Sequence, residues 1–252
     1  MDKTFETNLF NNLMDQWILP SIRERQESGE LEKPLALSMA QIIFKPDGGK
    51  PEVRINAEIK GRAIVNLKEG LNEPLKAGDQ ISLNQLDGIE AFELEDSERD
   101  YGHATVIELN KKWLITFNFI YNKKASQEHL MAAMEFLHAA ESSLKESYLR
   151  SAIDSLHSAS ELAAKAFLLG SPDKTIIEAK SHDVVHRKIN MQRKLGNVNS
   201  DHIDTFNNLK NLRSSARYLQ TELTIQKAQV EEMFGDIKEF IENVSKLSEA
   251  KL

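Results

Sequence analysis

Trp113-Leu114-Ile115-Thr116-Phe117-Asn118-Phe119-Ile120-Tyr121-Asn122-Lys123-Lys124-Ala125-Ser126 is the stretch in which the chain changes its period. Up to Tyr121 the large apolar side chains Trp113, Ile115, Phe117, Phe119 and Tyr121 recur at every second residue, which puts them on one face of a strand. From Ser126 they recur at helical spacing, through Leu130, Met134, Leu137 and Leu144. A strand-bearing half therefore gives way to a helical half, and the break defines two domains, 1–122 and 123–252. The fold class that follows is α+β: an N-terminal antiparallel sheet with a packed helix, then an all-α unit.

Upstream of the break, Phe5, Leu9, Leu13 and Trp17 predict a helix that Thr4 caps and Pro20 kinks or ends. Pro34 to Phe44 and Val53 to Val65 read as strands joined about Asp47-Gly48-Gly49, which suggests an antiparallel hairpin. Ile81 to Leu94 is a weaker strand region, followed by the acidic run Glu93, Glu95, Asp96, Glu98 and Asp100. Thr105 to Leu109 and Trp113 to Tyr121 form a second hairpin about Asn110-Lys111-Lys112.

Downstream, Leu149, Ile153, Leu156, Ala163 and Phe167 mark a helix antiparallel to its predecessor, with a tight connection at Ser147-Tyr148. Gly170-Ser171-Pro172-Asp173 stops it. Ser181 caps the next helix, which carries Val185 and Ile189 and ends at Gly196. Ser200 opens a helix running from Ile203 and Phe206 to Leu219. Thr224 caps the last, through Val230, Met233, Ile237, Phe240, Val244 and Leu247.

The 252 residues contain no cysteine, so thiolate catalysis, disulfides and cysteine-based zinc sites are excluded. The acidic, polar start does not resemble a signal peptide, and no apolar run reaches the ~20 residues that span a bilayer. These features predict a cytoplasmic chain with no membrane partner. Residues up to Asn122 hold 14 basic and 21 acidic side chains, and the remainder 18 of each, so the whole net charge of −7 lies in the first half. That half could meet a basic protein partner. Within the neutral second half, Lys180, Arg187, Lys188, Arg193, Lys194, Lys210, Arg213 and Arg217 form a local basic band, suited to phosphate.

The candidate site lies in Asn211-Leu212-Arg213-Ser214-Ser215-Ala216-Arg217-Tyr218-Leu219. Lys210, Arg213 and Arg217 follow one another at one-turn spacing, while Leu212, Ala216 and Leu219 can turn inward. The bland alternative pairs the arginines with Asp204 or Glu222. Tyr218 stands about 140° from Arg213 around an ideal helix, which sets it on another face. His182-Asp183-Val184-Val185-His186 imitates the zinc motif His-Glu-x-x-His, but its aspartate is one methylene too short and no third ligand is spaced for it. No metal and no cofactor is expected. Phosphate-loop and dinucleotide glycine patterns are absent, as is a serine-nucleophile motif.

The helical half resembles the HEPN family, the helical modules named for higher eukaryotes and prokaryotes nucleotide-binding. The resemblance runs from about Ala125 to Leu247. It rests on the hairpin Ala139-Ala140-Glu141 to Leu149-Arg150, on Ser158-Ala159-Ser160-Glu161-Leu162-Ala163-Ala164-Lys165-Ala166-Phe167-Leu168-Leu169, on Ser181-His182-Asp183, and on Leu212-Arg213 with Ala216-Arg217-Tyr218. It implies a four- or five-helix bundle, a homodimer across the arginine-bearing helices, and in many members a metal-independent ribonuclease. Active members follow the arginine with a polar residue and, four to six positions after the arginine, a histidine. Arg213 and Ser214 fit, but Arg217, Tyr218 and Leu219 stand where the histidine is expected. Arginine and tyrosine exchange protons poorly near neutral pH.

Three readings follow. The first is a noncatalytic or weakly active HEPN dimer that binds RNA or a nucleotide through Lys210, Arg213, Ser214, Arg217 and Tyr218, in a prokaryotic defence or toxin–antitoxin setting that the resemblance implies. The second is a divergent ribonuclease in which Arg213 steadies the phosphorane and His182, His186 or His202 supplies the missing proton-transfer group. The third is a structural adaptor whose arginines close salt bridges.

Overall fold

The computed structural model describes residues 3–68, 76, 78–82, 85–179, 181–218 and 222–248. The chain separates into two compact units, Met1–Phe119 and Ile120–Leu252. Lys180 and Leu219, named above in the basic band and the inward face, lie outside the described residues, as do two residues within the weak strand region.

The first unit opens with helix α1 (Lys3–Leu13), a π-helical turn (Met14–Ile18) and helix α2 (Leu19–Glu27). Pro20 does not end the helix; it sits in the first turn of α2, where its missing N–H costs least. The π turn inserts one residue into the helical count, so the buried points run Leu13, Ile18 and Ile22, while Trp17 is only half-buried and Phe5 is exposed.

These helices pack on a four-stranded antiparallel sheet of β1 (Met39–Phe44), β2 (Glu52–Ile55), β5 (Gly102–Leu109) and β6 (Lys112–Asn118), in the order β2-β1-β5-β6. A separate two-stranded ribbon joins β3 (Arg62–Leu67) to β4 (Leu86–Glu93). The first expected hairpin pairs as β1 with β2, Ala40 opposite Ile55. The long Val53–Val65 pattern nevertheless divides. Asn56 takes a left-handed backbone at φ 50, and its side-chain oxygen accepts from the Ser38 and Met39 amides at 2.9 and 3.2 Å. That clamp ends β2 and lets the chain leave the sheet before β3. The second hairpin turns through Asn110 and Lys111, both at positive φ, as a two-residue turn between twisted strands requires.

The aromatic stripe of β6 is only partly interior. Trp113 and Ile115 pack against the helix-covered core, Phe117 and Phe119 stack on each other half in solvent, and Tyr121 belongs to the second unit. Within the acidic run Glu98 is gripped by Arg54 and largely covered, while Glu93 and Asp96 stay exposed although Arg62 reaches both.

The second unit is a bundle of five long helices, α3 (Lys123–Lys145), α4 (Leu149–Leu169), α6 (His182–Lys194), α7 (Ser200–Tyr218) and α8 (Lys227–Leu247), with a single turn, α5 (Lys174–Ile177), after α4. The Asn122 amide donates to Leu169 O at 3.0 Å and the Ser126 hydroxyl to Ala166 O at 3.1 Å, tying the start of α3 to the end of α4. Alanines at 152, 159, 163, 164 and 166 are fully buried along α4, which lets the other helices crowd around it. Ser181 caps α6, and Gly196, at φ 76, closes it. The last helix starts later than expected: Gln226, not Thr224, is its cap residue, and Leu247 is exposed.

Candidate functional site

Helix α4 decides what α7 meets. Its residues Asp154, His157 and Glu161 are spaced by three and four, so they share the side that faces α6 and α7. Arg213 Nε donates to Asp154 Oδ1 at 3.1 Å, and a guanidinium nitrogen of Arg217 lies 3.7 Å from the same oxygen. The acids expected as their alternative partners, Asp204 and Glu222, do not take this place; Asp204 is held by Arg193 at 2.6 Å. Much of the basic band is matched in the same way, with Lys188 on Asp173 at 2.7 Å and Lys210 on Asp183 at 3.5 Å. A free positive face is thus replaced by a paired one.

His182, the first residue of α6, is placed by the Ser181 cap so that its Nδ1 meets the Glu161 carboxylate. Beside this pair is a cavity of about 230 Å³ lined by His157, Glu161, His182, His186, Phe206, Lys210, Arg213, Ser214 and Tyr218. His157 stacks on Phe206 at 5.9 Å, and His186 tilts onto the same ring at 5.6 Å. Burial, assisted by the charge of Arg213, pushes the His157 pKa from 6.5 down to about 4, and its Nδ1 has no hydrogen-bond partner among the described residues. This imidazole is a neutral floor, not a phosphate ligand.

Tyr218 joins the cavity although it lies far around the helix from Arg213. Lys210, Ser214 and Tyr218 follow one another by four and make the stripe that lines it, with Arg213 at its margin. Arg217 turns away toward Asp154 and does not line the cavity, although its guanidinium is 5.9 Å from the Tyr218 ring. His202 is not brought here: it is buried against Phe240 at 5.6 Å, in a different cavity beside Asn243. Among the described residues no group of three or more metal-ligating side chains converges.

Sequence reasoning missed Asp154, His157 and Glu161 as site residues. Their signal was present, because three titratable side chains at helical spacing interrupt the most apolar helix of the chain.

An α+β protein whose helical unit carries a histidine-lined cleft beside an arginine helix is the class these observations define. Residues 126–247 match the family model of the HEPN domain, so the helical half belongs to that family, and the strand-bearing half is unassigned. No curated protein matches the chain. No helix among the described residues is long and apolar enough to cross a membrane.

Proposed function

We propose that the helical unit binds RNA or a nucleotide in the α4–α6–α7 cleft, with Lys210, Arg213 and His182 toward phosphate and the exposed ring of Tyr218 toward a base. One observation carries this reading: cations, a hydroxyl and an aromatic ring converge on a single cavity that is apolar at its floor, the composition of a small-ligand site. Its cations are only partly engaged: Asp154 is a single carboxylate facing two guanidinium groups, Lys210 reaches Asp183 only at an exposed 3.5 Å, and Glu161, the carboxylate that lines the cavity, is hydrogen-bonded to His182. Assembly as a homodimer through the bundle, weak or absent catalysis, and service in a defence or toxin–antitoxin system belong to the same proposal and rest on the family. An acidic first unit that meets a basic protein partner is part of it too.

Filter and calorimetric titration of an RNA pool and of nucleotides against wild type and the Arg213→Ala/Arg217→Ala double variant tests it. Wild-type affinity should fall with rising salt, and the double variant should bind more weakly with a shallower salt slope. Unchanged binding in the variant defeats the proposal and leaves the arginines with the structural role that their shared carboxylate supports.

The Glu161–His182 pair favours cleavage as a second reading. A carboxylate on Nδ1 orients the imidazole and leaves Nε2 as the atom able to exchange a proton beside Arg213. Incubation of the RNA pool with wild type and His182→Ala decides it: cleavage lost in the variant supports catalysis, and no cleavage by wild type above buffer ends it.

A further inference from the structure

A second cavity, of about 280 Å³, lies on the other side of the Glu161–His182 pair. Glu161, His182 and Arg213 line both cavities, so they form a ridge with a similar hollow on each flank. His182 stands at the solvent-facing top of that ridge, with 74% of its side chain exposed, while Glu161 is nearly covered at 14%. The second hollow repeats the composition of the first. Phe136 offers a half-exposed ring from α3, Leu162 and Val185 supply an apolar floor, and His129 and Lys165 bring polar tips. His129 and Phe136 are seven residues apart on α3, which places them on one helical face. Lys165 is held in place by its bond to Ala179 O at 3.1 Å.

From this we infer that the ligand is a dinucleotide or longer strand straddling the ridge: one base in the Tyr218 hollow, the next in the Phe136 hollow, and the linking phosphate over His182 and Arg213. This rests on the nucleotide reading above and narrows its substrate class. A mononucleotide fills one hollow and leaves the other empty, whereas a phosphodiester places its charge where the ridge presents a guanidinium and an imidazole to both sides. Two aromatic-walled hollows separated by a crest that carries a guanidinium and an imidazole, with Glu161 tied to that imidazole beneath, suit a single strand: a stacking platform for each base and hydrogen-bond donors for the phosphate between them.

Calorimetric titration with adenosine monophosphate and with the dinucleotide adenylyl-adenosine, on wild type, Phe136→Ala and Tyr218→Ala, tests the inference; circular dichroism melting verifies that each variant is folded. The dinucleotide should bind wild type at least tenfold more tightly than the mononucleotide. Phe136→Ala should weaken the dinucleotide by roughly five- to a hundredfold, the range of one lost base stack, and the mononucleotide by much less, because the Tyr218 hollow stays open to it. Tyr218→Ala should weaken both. A dinucleotide that binds no better than the mononucleotide and is indifferent to Phe136→Ala overturns the second subsite, yet leaves the first standing if Tyr218→Ala still weakens the mononucleotide. Failure of both ligands to bind wild type overturns both.

Discussion

His157 should make the helical unit lose stability in mildly acidic solution, and replacing it with leucine should abolish that loss. Its imidazole is buried beneath the Asp154–Arg213 pair, with Arg213, His182 and Lys210 opposing its protonation and Asp154 alone favouring it, and its pKa falls to about 4 from 6.5. The unfolded chain therefore binds a proton that the folded chain refuses throughout this interval. Stability is complete above about pH 6.5, declines as pH falls toward 4, and loses no more on this account below that. At about 1.36 kcal/mol for each pH unit the whole loss is about 3 kcal/mol, of which about 2 kcal/mol has gone by pH 5. The assay is urea unfolding at pH 7 and pH 5, monitored by far-UV circular dichroism, because five long helices lie in the second unit. Both tryptophans, Trp17 and Trp113, lie in the first unit, so their fluorescence is an internal control. Wild type should show the pH difference in the helical signal, and His157→Leu should be flatter by about 2 kcal/mol. Equal pH dependence in the two proteins would refute the buried, neutral assignment.

Asp154→Asn keeps the shape of the shared acceptor and removes its charge; RNA affinity should rise by a few-fold with a steeper salt slope, while the helical unit loses about 1 kcal/mol in urea. Weaker RNA binding in that variant would count against the cleft. Arg54→Ala strips the partner of Glu98 and Glu52, and should cost the first unit about 1.5–3 kcal/mol by tryptophan fluorescence with the helical signal unmoved. Because Arg54 holds the Glu98 carboxyl below its ordinary range, the same variant should also lessen the stability that the first unit loses as pH falls below about 4.5. Phe206→Ala empties one of the largest fully buried positions and removes the ring that His157 and His186 rest on; a loss of about 3–5 kcal/mol in the helical signal is expected.

The sequence determined by itself whatever depends on neighbours along the chain. The switch from alternate to helical spacing marks where strand β6 gives way to helix α3, the Asn110-Lys111 turn makes its hairpin, and Ser181 and Gly196 bound α6, because periodicity and caps act within a few residues. The arginine helix was legible for the same reason, and the family of the helical half through the resemblance of its ordered motifs, which the family match over residues 126–247 bears out. Only the tertiary structure decided what the arginines meet. Asp154 lies 59 positions from Arg213, and Glu161 is 21 from His182, so no local pattern could pair them. Tyr218 stands apart from Arg213 around the helix yet lines the cavity, because the fold turns the Lys210–Ser214–Tyr218 stripe toward it and leaves Arg213 at the margin. The division of Val53–Val65 at Asn56 likewise needed Ser38 and Met39 to be brought across the sheet. A helix declares its own period, but the charge that its side chains keep is set by the carboxylates that folding carries to them.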